Sequence, residues 1–354
     1  MKLVIANEKF ERIGMIENAQ VIWTSRYYKT GDFQITMPAT NDNLSYINQG
    51  LYIIRDEDKD NVGVIEDFNI TNTQSDGDRI TITGRFASGY YLSGRVISQQ
   101  TQLNGNFQNS IRNLVNLNIV NPTDAKRKIE FIKLGNLDNS IDETLEMQTT
   151  GDNLLEKVEE TSETVGIGFK MPLREEKLYF EMYKGIDRSY SQNENPWIIF
   201  SDEYDNLKEC EYNKITSEKT NFAYVAGEGE GLDRKIVGSY NSTDEPVGAY
   251  RREIWVDQRN LSSNNDDITE AELINQMKEE GIENLIGISE AFTGDVVNQG
   301  YKYGKPEDGG EFYLGDIVSI QKKNWSNLYI NARIIEVIES EDQNGKVVVF
   351  TFGI

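Results

Sequence analysis

Residue types that commonly carry catalysis are scarce in this sequence. Among 354 residues there is no histidine and a single cysteine, Cys210. Lack of imidazole removes the Ser-His-Asp and Cys-His nucleophiles and every His-containing metal site. Chemistry would fall to carboxylates, lysine, tyrosine or the thiol. Cys210 sits between Glu209 and Glu211, whose negative charges disfavour a thiolate. It has no partner for an internal disulfide, as expected of a chain made in a reducing cytoplasm.

Local motifs fare no better. Asp56-Glu57-Asp58-Lys59-Asp60-Asn61 places carboxylates at alternate positions, with Asp67 eleven residues after Asp56, which is half of a calcium loop. Asn61 stands where that loop needs glycine, and strand-like segments flank it, so a solvated hairpin tip is the better reading. Gly227-Glu228-Gly229-Glu230-Gly231 lacks both the G-x-G-x-x-G spacing and a following helix, and its carboxylates would repel phosphate. It reads as a turn. Ser319-Ile320-Gln321-Lys322 matches S-x-x-K, but that motif works on a helix, and a strand points its two ends to opposite faces. Gly287-Ile288-Ser289 resembles a nucleophile elbow with no histidine to serve it. Pairs such as Glu143 and Glu146, or Glu209 and Glu211, could suit a glycosidase. With 59 acidic residues in the chain such pairs arise by chance. The sequence thus names no catalytic, cofactor-binding or metal-ligating residue, and predicts a protein that is not an enzyme.

The charge balance excludes further classes. Acidic residues number 59 against 36 basic ones, a net charge of −23. Phosphate backbones and anionic membranes demand clustered Lys and Arg, so tight nucleic-acid binding and stable membrane anchoring are disfavoured. No apolar run has the length of a transmembrane helix, and Met1–Phe10 lacks the pattern of a secretory signal. Hydrophobic content of 38% and aromatic content of 10% are those of a folded protein.

The elements that would position any site are mostly strands. Tyr313–Gln321, Asn331–Glu339 and Lys346–Phe352 read as three successive strands, the last two joined by the turn Asp342-Gln343-Asn344-Gly345. The same course occurs near the N-terminus. Gly50 opens a strand as Gly315 does, Val64-Ile65-Glu66-Asp67 lines up with Ile334-Ile335-Glu336-Val337, and Asp76-Gly77-Asp78 turns into Arg79–Gly84. A duplicated β-unit predicts two like barrels, residues 1–98 and 196–354.

Between them, residues 99–195 read as an α+β domain. Phe107, Ile111, Leu114 and Val115 mark a helix over Asn106–Leu117. Asp152 is placed to cap a second helix, with Leu154, Leu155, Val158 and Val165 as its stripe and Gly166 as its stop. Arg85–Gly94 leaves the first domain through small residues. Thr269-Glu270-Ala271-Glu272 is a capping box inside an insertion around 262–290. It starts a helix expected to pack on the flank of the second barrel and to weaken at Gly281. The fold class is mainly β with α+β.

Several segments, in order along nearly the whole chain, carry a resemblance. They are Thr24–Phe33 (TSRYYKTGDF), Val64-Ile65-Glu66, Asn121-Pro122, Lys126–Ile129, Asn195-Pro196, Ile199-Phe200-Ser201, Asn221–Gly227 (NFAYVAG), Arg251-Arg252-Glu253, Tyr303-Gly304, Leu314–Val318 (LGDIV) and Ala332-Arg333-Ile334. Together they resemble tail proteins of long-tailed phages and prophages of Gram-positive bacteria related to the baseplate hub. Departures fall at the acidic insert Ser262–Asp267 and the Gly300–Gly310 loop.

The resemblance implies two tube-like β-barrel domains flanking the α+β domain. It implies a homotrimer presenting a pseudo-sixfold ring to a hexameric tail tube. The partners would be a tail tube or distal tail protein, a spike or tail-tip protein, and a tape-measure protein. The location would be a virion or phage-tail-like particle, assembled in the bacterial host cytoplasm. It also implies a channel whose acidity lets DNA slide. The peptidoglycan-cleaving extension of some hub-like proteins is expected to be absent after Ile354. Two other readings are a carbohydrate- or receptor-binding tail-tip protein using Tyr27, Tyr28, Tyr90 and Tyr91, and a cell-wall hydrolase using Glu or Asp. Strand-like context favours burial of those tyrosines.

Overall fold

A single sheet joins the two ends of the chain. The structure, a computed structural model, describes residues 1–75, 77–259, 269–296 and 300–354, so Ser262–Asp267 lies outside it. The N-terminal strands are β1 (Leu3–Ala6), β2 (Arg12–Ile16), β3 (Gln20–Arg26), β4 (Asp32–Pro38), β5 (Tyr52–Arg55), β6 (Val62–Val64), β7 (Asp67–Thr73) and β8 (Gly77–Arg85). Helix α1 (Asn41–Tyr46) precedes β5, and α2 (Ala87–Ser93) follows β8. The middle segment supplies β9 (Thr101–Asn106), α3 (Phe107–Val115), β10 (Ile132–Leu134), β11 (Thr144–Thr149), α4 (Leu154–Val165), β12 (Gly168–Lys170), β13 (Leu173–Arg174) and β14 (Lys177–Tyr183). Then come β15 (Ile199–Ser201), β16 (Leu207–Ile215), β17 (Phe222–Ala226), β18 (Ile236–Ser239), β19 (Glu253–Asp257) and α5 (Glu270–Glu283). The C-terminal strands are β20 (Ser289–Val296), β21 (Ile317–Lys322), β22 (Leu328–Asp342) and β23 (Gly345–Gly353). Met1–Glu211 with Phe292–Ile354 form one compact unit, and Tyr212–Ala291 a second.

The expected duplication is present in the hydrogen bonding. Gly50 and Gly315 both take positive φ, 84° and 96°, which glycine adopts without a Cβ clash. The Gly50 amide donates to Ile65 at 2.8 Å and the Gly315 amide to Ile334 at 2.9 Å. In return the Ile65 amide donates to Leu51, and the Ile334 amide to Asp316, both at 2.9 Å. One extra residue then enters each copy. Pairing of β22 with β23 slips between Ile334 and Glu336, and Gly63 pairs with Phe86 where Asp67 pairs with Thr83, the same slip of one. Ile65 therefore matches Ile334 and Asp67 matches Glu336, one place off the alignment expected from sequence. Runs of Ile and Glu look alike in either register; the bulge decides between them.

The repeat reaches beyond the three-strand meander. The large sheet runs β16-β20-β23-β22-β3-β4-β8-β7, which is one four-strand order written twice, with β16, β20, β23 and β22 in the places of β3, β4, β8 and β7. Among the described residues the sheet is open, ending on β16 and β7. Each module has an accessory strand, β5 on the short β6 that leads into β7, and β21 on the first half of the long β22.

The first unit holds several cores, and Phe200, Phe312, Phe350 and Phe352 pack on one another in that of the second module. Trp23, Phe33, Ile35, Ile80, Ile82 and Ile53 fill one beneath the first module. Tyr52, Ile54, Val62 and Val64 point the other way, into a core shared with Phe107, Ile111, Leu114, Leu154, Val158 and Phe180 of the middle segment. Alternation by two along β5 thus feeds both cores, which is why β5 is buried at every position.

The local expectations are corrected in three places. Asn153, not Asp152, caps α4, accepting from the Leu155 amide at 3.0 Å, while Asp152 accepts from Thr149 Oγ1 at 2.5 Å. Gly166 ends α4 at φ 84°, as expected. Helix α3 stops at Val115 and continues as a π turn over Asn116–Val120, where the buried Asn118 amide donates to Leu114. Arg85–Gly94 is no loose exit. Its small residues form α2, where Gly89 lies against Thr30 so closely that a Cβ would fall 2.5 Å from the Thr30 hydroxyl.

In the second unit the capping box forms as expected. The Thr269 amide meets Glu272 Oε2 at 2.7 Å, and the Glu272 amide meets Thr269 Oγ1 at 3.3 Å. The helix it starts covers the unit's own sheet, β18-β17-β19, through Leu273 and Met277 against Ala223, Val225 and Val256. Gly281 does not break α5. It is buried, and a Cβ there would stand 2.6 Å from Ser239 Cβ and 2.7 Å from Val225 Cγ2. Close approach, not flexibility, explains the glycine. Gly281→Val is expected to destabilise this unit by about 1–3 kcal/mol through overpacking, read as a lower urea midpoint. No described helix is long and apolar enough to cross a membrane.

Candidate assembly interface

The joint between the two modules is the most heavily built surface of the chain. Strand β22 pairs antiparallel with β3 from Glu336 on Arg26 to Glu341 on Val21. At one end Arg26 is held by Glu336 at 2.7 Å and Asp32 at 2.5 Å. On the core side Arg55 donates to both oxygens of Glu339, at 2.5 and 3.2 Å, and Lys346 reaches Glu339 at 2.5 Å. Glu339 is 7% exposed and Arg55 5%. Burial alone would raise the Glu339 carboxyl, but hydrogen bonds and charge from Arg55 and Lys346 outweigh it and hold the group below the usual range. Burial likewise opposes charge on Arg55, and Glu339 reverses the effect.

Tyr27 closes the loop between β3 and β4. It is fully buried, its hydroxyl accepting from the Gly185 amide at 2.9 Å and donating to the Tyr183 carbonyl at 3.1 Å. Gly168 and Gly315 lie so close that a Cβ on either would stand 2.3 Å from the Tyr27 ring. Burial pushes the phenol up to about 12 although Arg333, 5.3 Å from the ring centre, pulls it down. Tyr27→Phe is expected to cost about 1–2 kcal/mol by orphaning the Gly185 amide, measured by urea unfolding.

Among the described residues, the sheet ends on β7 and β16 with no further strand paired to either. Phe68 and Ile70 on β7 are 52% and 49% exposed. They pair with Ile82 and Ile80, both fully buried, so they lie on the core side of the sheet. Their counterparts in the second module, Val337 and Glu339, are 1% and 7% exposed because β3 and its neighbours cover them. The opposite, free face carries Gln34, Thr36, Thr81, Thr83, Asn69 and Thr71, with Thr36 and Thr81 bonded at 2.9 Å. The same face also carries charge, with Arg79 opposite Thr71, Arg85 opposite Asp32 and Asp67 opposite Thr83, so it is a polar surface of mixed charge.

The sequence matches the family described as Siphovirus ReqiPepy6 Gp37-like protein over residues 2–354. This chain belongs to that family. The Gp37-like chain has the fold of several prophage tail proteins. It is similar to the 43 kDa tail protein of prophage MuSo2 from Shewanella oneidensis, with a TM-score of 0.56 and 14% identity over 99% of this chain and 98% of that one. A tail protein from Neisseria meningitidis matches with a TM-score of 0.56 and 12% identity, over 100% and 96% of the two chains. Prophage tail protein gp18 from Listeria monocytogenes matches with a TM-score of 0.50 and 10% identity, over 99% and 94%. The first two relatives come from outside the Gram-positive bacteria that the resemblance named. No protein of curated function matches the sequence. The fold and family are those of phage tail proteins.

The Gp37-like chain spends its sequence-flagged residues on structure. Asp60 is neutralised by Lys170 at 2.7 Å and Lys305 at 2.8 Å, and Lys305 also approaches Asp58 at 3.5 Å. Asp67 stands apart on β7. Among the described residues no group of acidic or thiol side chains is arranged to hold a metal. Gly229 and Gly231 take positive φ in the turn that returns β17 to β18. Ser319 is fully buried between Asn331, 2.7 Å away, and Tyr329, 3.1 Å away, while Lys322 binds Asp202 at 3.3 Å. Glu143 binds Lys184 at 2.5 Å. Cys210 is half-buried, and burial pushes its thiol up against the pull of Lys322. Tyr27 is core, as expected, but Tyr28, Tyr90 and Tyr91 are half-buried, and Tyr90 and Tyr91 sit on α2, not on a strand. The residues that sequence reasoning missed are Phe68 and Ile70. Their signal was present as apolar alternation on an otherwise polar strand.

Proposed function

We propose that this protein is a structural baseplate hub of a phage tail or tail-like particle. Three copies close into a ring that adapts a hexameric tail tube to a spike or tail-tip protein. One observation carries this reading. The chain contains the same four-strand module twice, joined edge to edge at β22 and β3, and presents the matching unjoined edges, β7 and β16, at its ends. A head-to-tail contact that repeats the internal joint generates a closed ring of like modules, twice as many as chains. An exposed strand edge with apolar residues is a ready template for such pairing. The tube-like domains are residues 1–98 and 196–354, with 99–195 between them and the insertion on the second.

In such a ring the core face of the sheet is occupied, so the free face lines the bore. Its Thr, Gln and Asn side chains, together with Asp32, Asp67, Arg79 and Arg85 on the same face, make a mixed polar lining in place of the mainly acidic one expected from net charge. Arg85 on this face is held by Glu66 at 2.6 Å, and a cation compensated in this way holds passing phosphate less tightly. Tail tube or distal tail proteins, a spike and a tape-measure protein are the partners of this reading, in a particle assembled in the host cytoplasm. It gives the chain no catalytic role. The deciding experiment is mass photometry of the purified chain followed by electron microscopy of the ring. A trimer with β7 against β16 of the next copy supports the proposal, and a sixfold ring or a ring closed through other strands refutes it.

A further inference from the structure

A cavity of about 700 Å³ opens between the end of α2 and the turn after α3, lined by Arg95, Lys126 and Arg127 among others. In a chain of net charge −23, many of the arginines sit against carboxylates. Arg26, Arg55, Arg85, Arg174 and Arg188 each hold one. Here, among the described residues, no carboxylate forms an ion pair with any of the three. Arg127 donates to neutral groups only, Ser98 Oγ and the Val96 carbonyl at 2.6 Å and Asn118 Oδ1 at 3.1 Å. Arg95 donates to the Gly94 and Arg127 carbonyls at 3.0 and 3.1 Å, and its Nε is buried without an acceptor. Neutral acceptors fix the two forks in place but leave their charges uncompensated, a standing repulsion that an anion would relieve. Burial, together with Arg127, depresses Arg95.

From this geometry we infer that the cavity is a docking site for an acidic peptide segment of another tail protein. The walls choose a peptide over a phosphate. Val96 and Leu117, 53% and 38% exposed, offer an aliphatic patch beside the cations. Asp124 also lines the cavity, its Oδ1 accepting from the Lys126 amide at 3.0 Å, and its charge opposes a compact phosphate dianion more than a peptide that spreads single charges along its chain. A carboxylate with an aliphatic neighbour satisfies the cations and the patch together. The inference does not depend on ring formation.

The test uses the full chain and a fluorescein-labelled, acetylated Glu-Leu-Glu-Leu-Glu peptide, read by fluorescence anisotropy. Saturable binding is expected, weakened at least tenfold by Lys126→Glu and by Arg95→Gln, and lost for the Gln-Leu-Gln-Leu-Gln peptide. Lys126 is exposed, so Lys126→Glu keeps the test valid even if Arg95→Gln disturbs folding. Absence of binding at millimolar peptide overturns the inference, as does binding that Lys126→Glu leaves unchanged. Displacement of the peptide by inorganic phosphate at equal concentration would reassign the cavity to phosphate and also overturns it. Mass photometry of the same variants separates this result from the ring reading.

Discussion

Replacing Phe68 and Ile70 together by lysine is expected to abolish the ring and leave a folded monomer of 40.4 kDa. Both side chains extend the core face of the sheet past its last strand, half-exposed in the single chain. Both are already half-buried, so covering the rest returns about 0.8–1.5 kcal/mol per side chain, repeated at every such contact between copies. Two lysines remove that gain and place charges in a strand edge, a common means of blocking edge pairing. Their neighbours in the folded chain lie beneath them and not above, so circular dichroism and the thermal midpoint should change little. Mass photometry decides the point. A variant that still forms trimers at micromolar concentration refutes the role of β7, and a variant that fails to fold shows that the edge serves the single chain instead.

The second large effect is expected at Glu339→Gln, which leaves the buried Arg55 with only the more distant Glu57, 4.0 Å away, as an ion-pair partner. Breaking one side of a buried pair costs about 3–5 kcal/mol, here at neutral pH. The dependence on pH has a definite sign. The folded Glu339 carboxyl lies below its usual value, so its contribution is fully present above the unfolded-state pKa of about 4.3 and is lost as the pH falls through the folded value. The stability gap between the natural chain and Glu339→Gln should be constant from neutrality down to mildly acidic conditions, then close in acid. Urea midpoints across that range measure it. A gap that widens on acidification would falsify the assignment of Glu339 as a charged partner.

Much of this fold was legible in the sequence, and the exceptions share a cause. The glycine-opened strand and the turn before β8 and β23 were readable because glycine at positive φ and alternation by two are local properties. The register between copies was not, since a bulge of one residue at Glu66 and Ile335 has no local signature. Gly281 reads as a helix breaker from propensity alone, whereas its role is set by Ser239 and Val225, distant in sequence. Asp152 and Asn153 are equally good caps on paper, and Thr149 takes the first. The acidic bore was inferred from net charge, a quantity that does not say on which face the carboxylates lie. The mixed polar face, with Gln34, Thr36, Thr81 and Thr83 beside Asp32, Arg79 and Arg85, emerges only once strands are paired. At the candidate interface, Phe68 and Ile70 were unremarked because an apolar residue on a strand ordinarily means core, and only the matching of β7 to β22 reveals that their cover is missing.

Writing the module twice in one polypeptide has a mechanical consequence. In a ring of such chains alternate joints are tethered, β22 to β3 within a copy, and the rest are held by contact alone. A tethered joint re-forms at the high local concentration set by its connecting chain, while the others pay the full entropy of bringing separate bodies together. Strain applied around the rim would therefore open it at every second joint, splitting it into intact pairs of modules. A wall of identical single modules has no such preference. In the proposed ring, duplication would thus fix where the assembly yields, as well as how many copies complete it.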